Sequence, residues 1–126
     1  MADTHPRTVI DWEASAYGCP VWDLAFWVTE ALVLETKHNG TDTLVSNFLC
    51  SYRRTAGDQI VTEKFAAKLA LLVGSSLNYF VPRNFWDSTE DEVQFWKDRA
   101  MQLIRAGLEG DLTWIASSEV GSLWQR

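Results

Sequence analysis

From Val21 onward the apolar positions repeat with a helical period. Val21, Leu24, Ala25, Val28 and Leu32 follow the i, i+3, i+4, i+7, i+11 pattern, which predicts a helix running to about Thr36. Pro20 stands where a first-turn proline is pre-organised for a helix, and His38-Asn39-Gly40 supplies the stop. Trp22, Phe26, Trp27, Ala31 and Val33 make the other faces apolar as well. A helix that is hydrophobic nearly all round is expected at the buried centre of a fold.

A second helix is predicted over Asp42 to Thr55, with Leu44, Val45, Phe48, Leu49 and Tyr52 inward and a turn at Ala56-Gly57-Asp58. A third covers about Thr62 to Tyr79 through Phe65, Leu69, Leu72, Val73, Ser76 and Leu77. Its Gly74-Ser75-Ser76 patch either lets a neighbour approach closely or marks a kink, and Val81-Pro82-Arg83-Asn84 ends it. Ser88 or Thr89 caps the fourth helix, since Ser88 with Asp91 and Thr89 with Glu92 both have capping-box-like spacing. Val93, Trp96, Ala100, Leu103, Ile104 and Gly107 give that helix an inner stripe through to about Glu109. A short last helix holds Trp114 and Ile115, and the tail from Ser117, polar apart from Leu123 and Trp124, is expected to fray. At the front, Arg7 to Ile10 reads as a strand without a nearby partner. The expectation is a mainly α fold with a vestigial short strand at the N-terminus, residues 1–126 forming a single domain without repeats or linkers.

Composition narrows the class. At 47% hydrophobic and 22% charged, the 126 residues read as globular rather than disordered or membrane-spanning. A formal net charge of −6 argues against nucleic acid and anionic membrane as partners, because both need a positive footprint. Cys19 and Cys50 make neither a disulfide framework nor a metal spacing, and the first residues contain no apolar leader, so a cytoplasmic protein is expected. Neither cysteine has a histidine or basic neighbour that would favour a reactive thiolate. Seven tryptophans point to a core or groove built on large rings.

The candidate chemistry lies just before the first helix. The short apolar run Val9-Ile10 stops on Asp11, Trp12 and Glu13, and a Gly18-Cys19-Pro20 turn then leads into the apolar helix. A carboxylate at the end of a strand, held over such a turn, is a way to present hard oxygen ligands to a metal ion. The spacing Ile10-Asp11-Trp12-Glu13, followed by Tyr17-Gly18, Pro20 and Trp22-Asp23-Leu24-Ala25, resembles the second half of the active site of the aminoglycoside phosphotransferase and choline kinase family. That family has the protein-kinase-like fold. The resemblance covers residues 9 to 27 and is architectural beyond them.

What the resemblance implies is specific to a few positions. Asp11 matches the aspartate that ligates the Mg²⁺ ions bridging the phosphates of ATP. Glu13 matches its variable companion, which helps hold metal or water or only bonds backbone. Asp23 matches a structural aspartate that bonds the backbone of the catalytic loop, so its implied role is scaffolding. Asp3-Thr4-His5-Pro6-Arg7-Thr8 approximates part of that loop, with Thr8 where the family has a metal-binding Asn and with no counterpart for the leading His. It reads as coincidence, or as a join across a deleted segment, ahead of an eroded loop. Tyr79, Phe85, Trp86 and Trp96 are candidates to line a pocket for a cationic or alcohol substrate, as rings do in choline kinases, against the plainer reading that they are core.

Phosphoryl transfer also needs a glycine-rich loop over the phosphates and a strand lysine paired with a helix glutamate. Neither is found in this sequence, and in the family they would precede Met1. The expectation is therefore the helical C-lobe portion of a truncated kinase-like protein, related to ATP-dependent enzymes that phosphorylate a small-molecule hydroxyl group. It would be inactive alone, would hold no catalytic residue, would bind neither Mg²⁺ nor ATP productively, and would be open to a protein partner that supplies the missing lobe. The alternative is a non-catalytic helical binding module derived from the same fold. An enzyme of another chemistry finds no support in a Ser-His-Asp, Cys-His or metal-ligand cluster.

Overall fold

The computed structural model describes residues 20–38 and 43–124. The strand expected at Arg7 to Ile10 lies outside them. The described residues are mainly helical and contain no strand. In order they form α1 (Pro20–Lys37), α2 (Thr43–Ala56), α3 (Glu63–Phe80), α4 (Glu90–Glu109), α5 (Leu112–Ala116) and a closing 3-10 turn over Gly121–Leu123.

The helix boundaries follow from local chemistry. Thr62 caps α3 by accepting from the Phe65 N–H, and Gly57 (φ 83°) turns the chain out of α2. Of the two capping patterns available before α4, the one formed is Thr89 with Glu92, each side chain accepting from the other residue's backbone N–H. Gly110, at φ 67°, closes α4 in the left-handed conformation that glycine adopts without strain. Asp111 then caps α5 by accepting from the Trp114 N–H at 3.1 Å.

α3 and α4 form the most extensive helix pair. A side-chain carbon placed on Gly74 would come within 2.8 Å of the Ala100 carbonyl oxygen, and one on Gly107 within 2.7 Å of the Ala67 carbonyl oxygen and the Leu71 nitrogen. Since position 74 faces 100 to 104 while 107 faces 67 to 71, the two helices run antiparallel. Gly74 thus serves close approach, and α3 continues unbroken through it. On the faces marked by Gly74 and Gly107, Leu77, Ala100 and Leu103 share the helical spacing of the seam and are fully buried, and each leucine contributes about 2 kcal/mol of hydrophobic stabilisation.

α1 lies against α3, with α2 beside it. Its Val21, Leu24, Ala25, Val28 and Leu32 are buried as their spacing predicts. Thr29 joins them, its hydroxyl satisfied by the Ala25 carbonyl oxygen at 2.7 Å. The Lys37 ammonium donates to the carbonyl oxygens of Trp86 and Asp87, tying the end of α1 to the turn after α3. Asn84 (φ 59°) and Asp87 (φ 52°) occupy left-handed positions in that turn, a conformation their short polar side chains tolerate.

Three expectations need correction. α1 is not buried all round: Trp22, Phe26, Trp27 and Leu34 are exposed, because the described elements cover that side only at its edges, through Phe48 and Phe80. On α2, Val45 and Leu49 are buried but Leu44 and Phe48 are exposed. The helix is rolled so that the Val45–Leu49 edge meets the core and the closing turn, leaving Leu44 and Phe48 beside the outer face of α1. The described part of the tail after Ser117, up to Trp124, packs on the body: Val120 and Leu123 are fully buried. Side chains of α2 hold the segment beside these two anchors, Arg53 donating to the Leu123 carbonyl oxygen at 3.1 Å and the Ser46 hydroxyl bonding the Ser122 hydroxyl at 2.6 Å.

Candidate functional site

The outer face of α1 carries a second stripe in the same register as the buried one. Asp23, Phe26, Trp27, Glu30 and Leu34 fall at i, i+3, i+4, i+7 and i+11, so they share one side of the helix. With Ala31, Glu35 and Leu44 they line an open groove of about 580 Å³ between α1 and the start of α2, a volume within the range of ligand sites. Trp27 lies over the Phe48 ring with centroids 4.1 Å apart, and Phe26 meets Phe80 edge-to-face at 5.6 Å. These pairs anchor the rings while leaving Phe26 and Trp27 about 40% exposed.

The acidic residues of the groove play distinct parts. Asp23 sits exposed on the first turn of α1, where a carboxylate complements the positive end of the helix dipole. One oxygen of Glu35 accepts the Leu44 N–H at 3.0 Å and so caps the start of α2 from another helix. Its second oxygen is buried and has no hydrogen-bond partner among the described residues. A buried carboxylate oxygen is costly unless a donor meets it. Sequence reasoning singled out Asp23 and missed Glu35, whose relation to Leu44 follows from how the two helices meet and from no local motif.

A second polar cluster joins α4 to the closing segment. The Arg99 Nε donates to both Glu119 carboxylate oxygens at 2.8 and 2.7 Å, and Nη1 donates to Gln102 at 2.8 Å. Hydrogen bonding to Glu119 raises the Arg99 pKa above its ordinary value, against the lowering effect of burial, and the carboxylate charge adds to the rise. The guanidinium also lies 5.1 Å from the centre of the Trp114 ring. Arg99 is thereby paired with Glu119, and among the described residues the polar cleft beside it, lined by Ser46, Ser117, Ser118 and Ser122, has no second cation with which to hold an anion. No local pattern signals this pair, which joins α4 to the segment after α5.

The aromatic candidates divide. Trp86 and Trp96 are buried in the core, as the plainer reading has it, whereas Tyr79 and Phe85 are exposed. The Arg83 guanidinium lies 3.9 Å above the Tyr79 ring and occupies the face a cationic ligand would use. Trp96 stands apart on α4, next to Phe95, so these four residues do not make one pocket. Cys50 is partly buried, with its Sγ 3.7 Å from the Ser122 carbonyl oxygen.

Asp11 and Glu13, the possible magnesium ligands, lie outside the described residues, as do His5 and Cys19. Among the described residues no three His, Cys, Asp or Glu side chains gather in a way that could hold a metal ion. No helix among them is long and apolar enough to cross a membrane. No family model, curated protein or solved structure matches the chain.

Proposed function

We propose that this chain contributes the magnesium-binding aspartate and the substrate-side helices of a cytoplasmic phosphotransferase-like protein, resembling the aminoglycoside phosphotransferase and choline kinase family. In this reading it works only with a nucleotide-gripping lobe supplied by a protein partner or by further polypeptide. The observation that carries it is the run from Ile10-Asp11-Trp12-Glu13 to Pro20 and Asp23-Leu24-Ala25, together with the position of Asp23 on the first turn of an apolar helix. Asp11, with Glu13 as its lesser companion, would hold Mg²⁺, whose chemistry is to neutralise the charge on the phosphates of ATP. Asp23 scaffolds the loop carrying the catalytic base, which the partner lobe provides, and the acceptor is a small-molecule hydroxyl group.

The test begins with the native protein, detected through an antibody to the exposed segment around Asp87 to Asp98. A species more than twice the 14.3 kDa of this chain, or a stable complex of that size, is expected to bind ATP in a Mg²⁺-dependent manner that Asp11→Ala abolishes. A native species of 14.3 kDa that forms no complex and binds no ATP at millimolar MgATP defeats the proposal. The alternative, a non-catalytic helical binding module, is favoured by the groove on α1, which needs neither metal nor nucleotide to accept a ligand.

A further inference from the structure

From the groove between α1 and α2 we infer a docking site for an amphipathic helix of a protein partner, apolar along one stripe and basic beside it. The inference is independent of the reading of Asp11. The outer stripe of α1 from Asp23 to Leu34 extends about 17 Å along the helix axis, or three turns. Its apolar members Phe26, Trp27 and Leu34, with Leu44 across the groove and Phe48 stacked under Trp27, fit the side chains that a helix projects at i, i+3, i+4 and i+7. Trp27 and Phe26 are the natural anchors, since their rings are already held by Phe48 and Phe80 and lose little freedom when covered.

Charge selects the occupant. Among the described residues Asp23, Glu30 and Glu35 line the groove, and no lysine, arginine or histidine does. The second oxygen of Glu35, buried and without a hydrogen-bond partner among the described residues, lies at the α2 end, where a lysine or arginine would bring a donor. A second copy of this chain, at a formal net charge of −6, would bring like charge against the groove. Residues 1–19 carry Asp3, Asp11 and Glu13 against Arg7 as the one arginine or lysine, so they do not complement it either. A basic amphipathic helix satisfies the rings and the carboxylates together.

The full chain would be titrated with a synthetic helical peptide of about 18 residues, bearing leucines on one stripe and lysines beside it. A control peptide has glutamates in place of the lysines. Tryptophan fluorescence and calorimetry read the binding. The lysine peptide is expected to bind at least about tenfold more tightly than the control, with an affinity that falls as salt is added. Glu30→Gln and Glu35→Gln should each weaken it about fivefold and Trp27→Ala about tenfold, while Asp98→Asn on α4 leaves it unchanged. If Trp27→Ala fails to melt cooperatively, Trp27→Phe replaces it, with a smaller loss expected. Equal binding of both peptides, or binding indifferent to the groove variants, overturns the inference. So does competition by a peptide of residues 1–19, which would make the chain's own segment the occupant. A concentration-dependent dimer abolished by Trp27→Ala would give that place to a second copy and overturn it equally. None of these readouts involves Mg²⁺ or ATP, so the phosphotransferase reading can fail without affecting them.

Discussion

The two sides of the helical body are built on opposite principles. Between α3 and α4 the backbones touch: glycines at 74 and 107 and alanines at 67 and 100 bring the helices together, and leucines fill what remains. On the outer side of α1 the residues are large, aromatic and acidic, and the described residues cover them only in part. Small residues close an interface because no side-chain entropy is lost and no void is left. Large rings held at their edges by other rings, with a face left open, make a surface suited to a partner. A helix with one face of each kind, as α1 has, supports the fold and carries recognition on opposite sides.

The contrast is broken most directly by emptying the closed side. Leu103→Ala removes a fully buried side chain at the α3–α4 seam, and a loss of about 3 kcal/mol in unfolding free energy is expected by urea denaturation. Crowding the same seam should cost somewhat less. A methyl on Gly74 would sit 2.8 Å from a backbone oxygen, so Gly74→Ala is expected to cost about 2 kcal/mol, the strain of pushing α4 away outweighing the gain in helix propensity. A variant as stable as the parent would mean that the two helices can separate without penalty, and the distinction between the closed and open faces would fail.

The bond between Arg99 and Glu119 tests whether the closing segment belongs to the closed side. Both partners are more than two-thirds buried as side chains, and their geometry is bidentate. Glu119→Gln is expected to cost about 1 kcal/mol. The sign of the pH effect follows from the raised Arg99 pKa. A cation whose pKa is higher in the folded state contributes its stability in full below the unfolded pKa and loses it only as pH climbs through the folded value. For an arginine that window lies at strongly alkaline pH, so the Arg99 contribution to the difference between parent and Glu119→Gln should be constant from neutral to mildly alkaline conditions. Melting temperatures at pH 7 and pH 9 check it.

Much of the closed side could be read from the sequence, because local signals there agree with the packing. Period, cap and stop coincide in α3 and α4: Thr62 and Thr89 start them, Gly110 ends the second, and Gly74 marks the close approach. The open side was less legible. Leu44 and Phe48 have the hydrophobicity of core residues, and only the roll of α2 against α1 decides that Val45 and Leu49 go inward in their place. The burial of Val120 and Leu123 depends on donors contributed by α2, far away in sequence. Glu35 reaches Leu44 across a helix–helix connection, and Arg99 reaches Glu119 past α5, so neither pair leaves a periodic trace. Asp23 was found through the motif that continues from Asp11 and Glu13, and those two acidic residues lie outside the described part.

The smallest expected effect is the sharpest test of the open side. Trp22 is 59% exposed, with no ring partner among the described residues, whereas Trp27 is stacked on Phe48. Replacing an exposed apolar side chain removes little buried area, so Trp22→Ser should change unfolding free energy by no more than about 0.5 kcal/mol. It should also reduce any self-association, since an exposed indole adds to the apolar patch. A loss of about 2 kcal/mol instead would mean that this indole is covered in the folded chain. In that case residues outside the described part pack on the start of α1, and the open face begins one turn later, at Phe26 and Trp27. The groove would keep its rings and all three of its carboxylates, because Trp22 is not among the residues that line it. Either value therefore fixes where along α1 the supporting surface gives way to the recognising one.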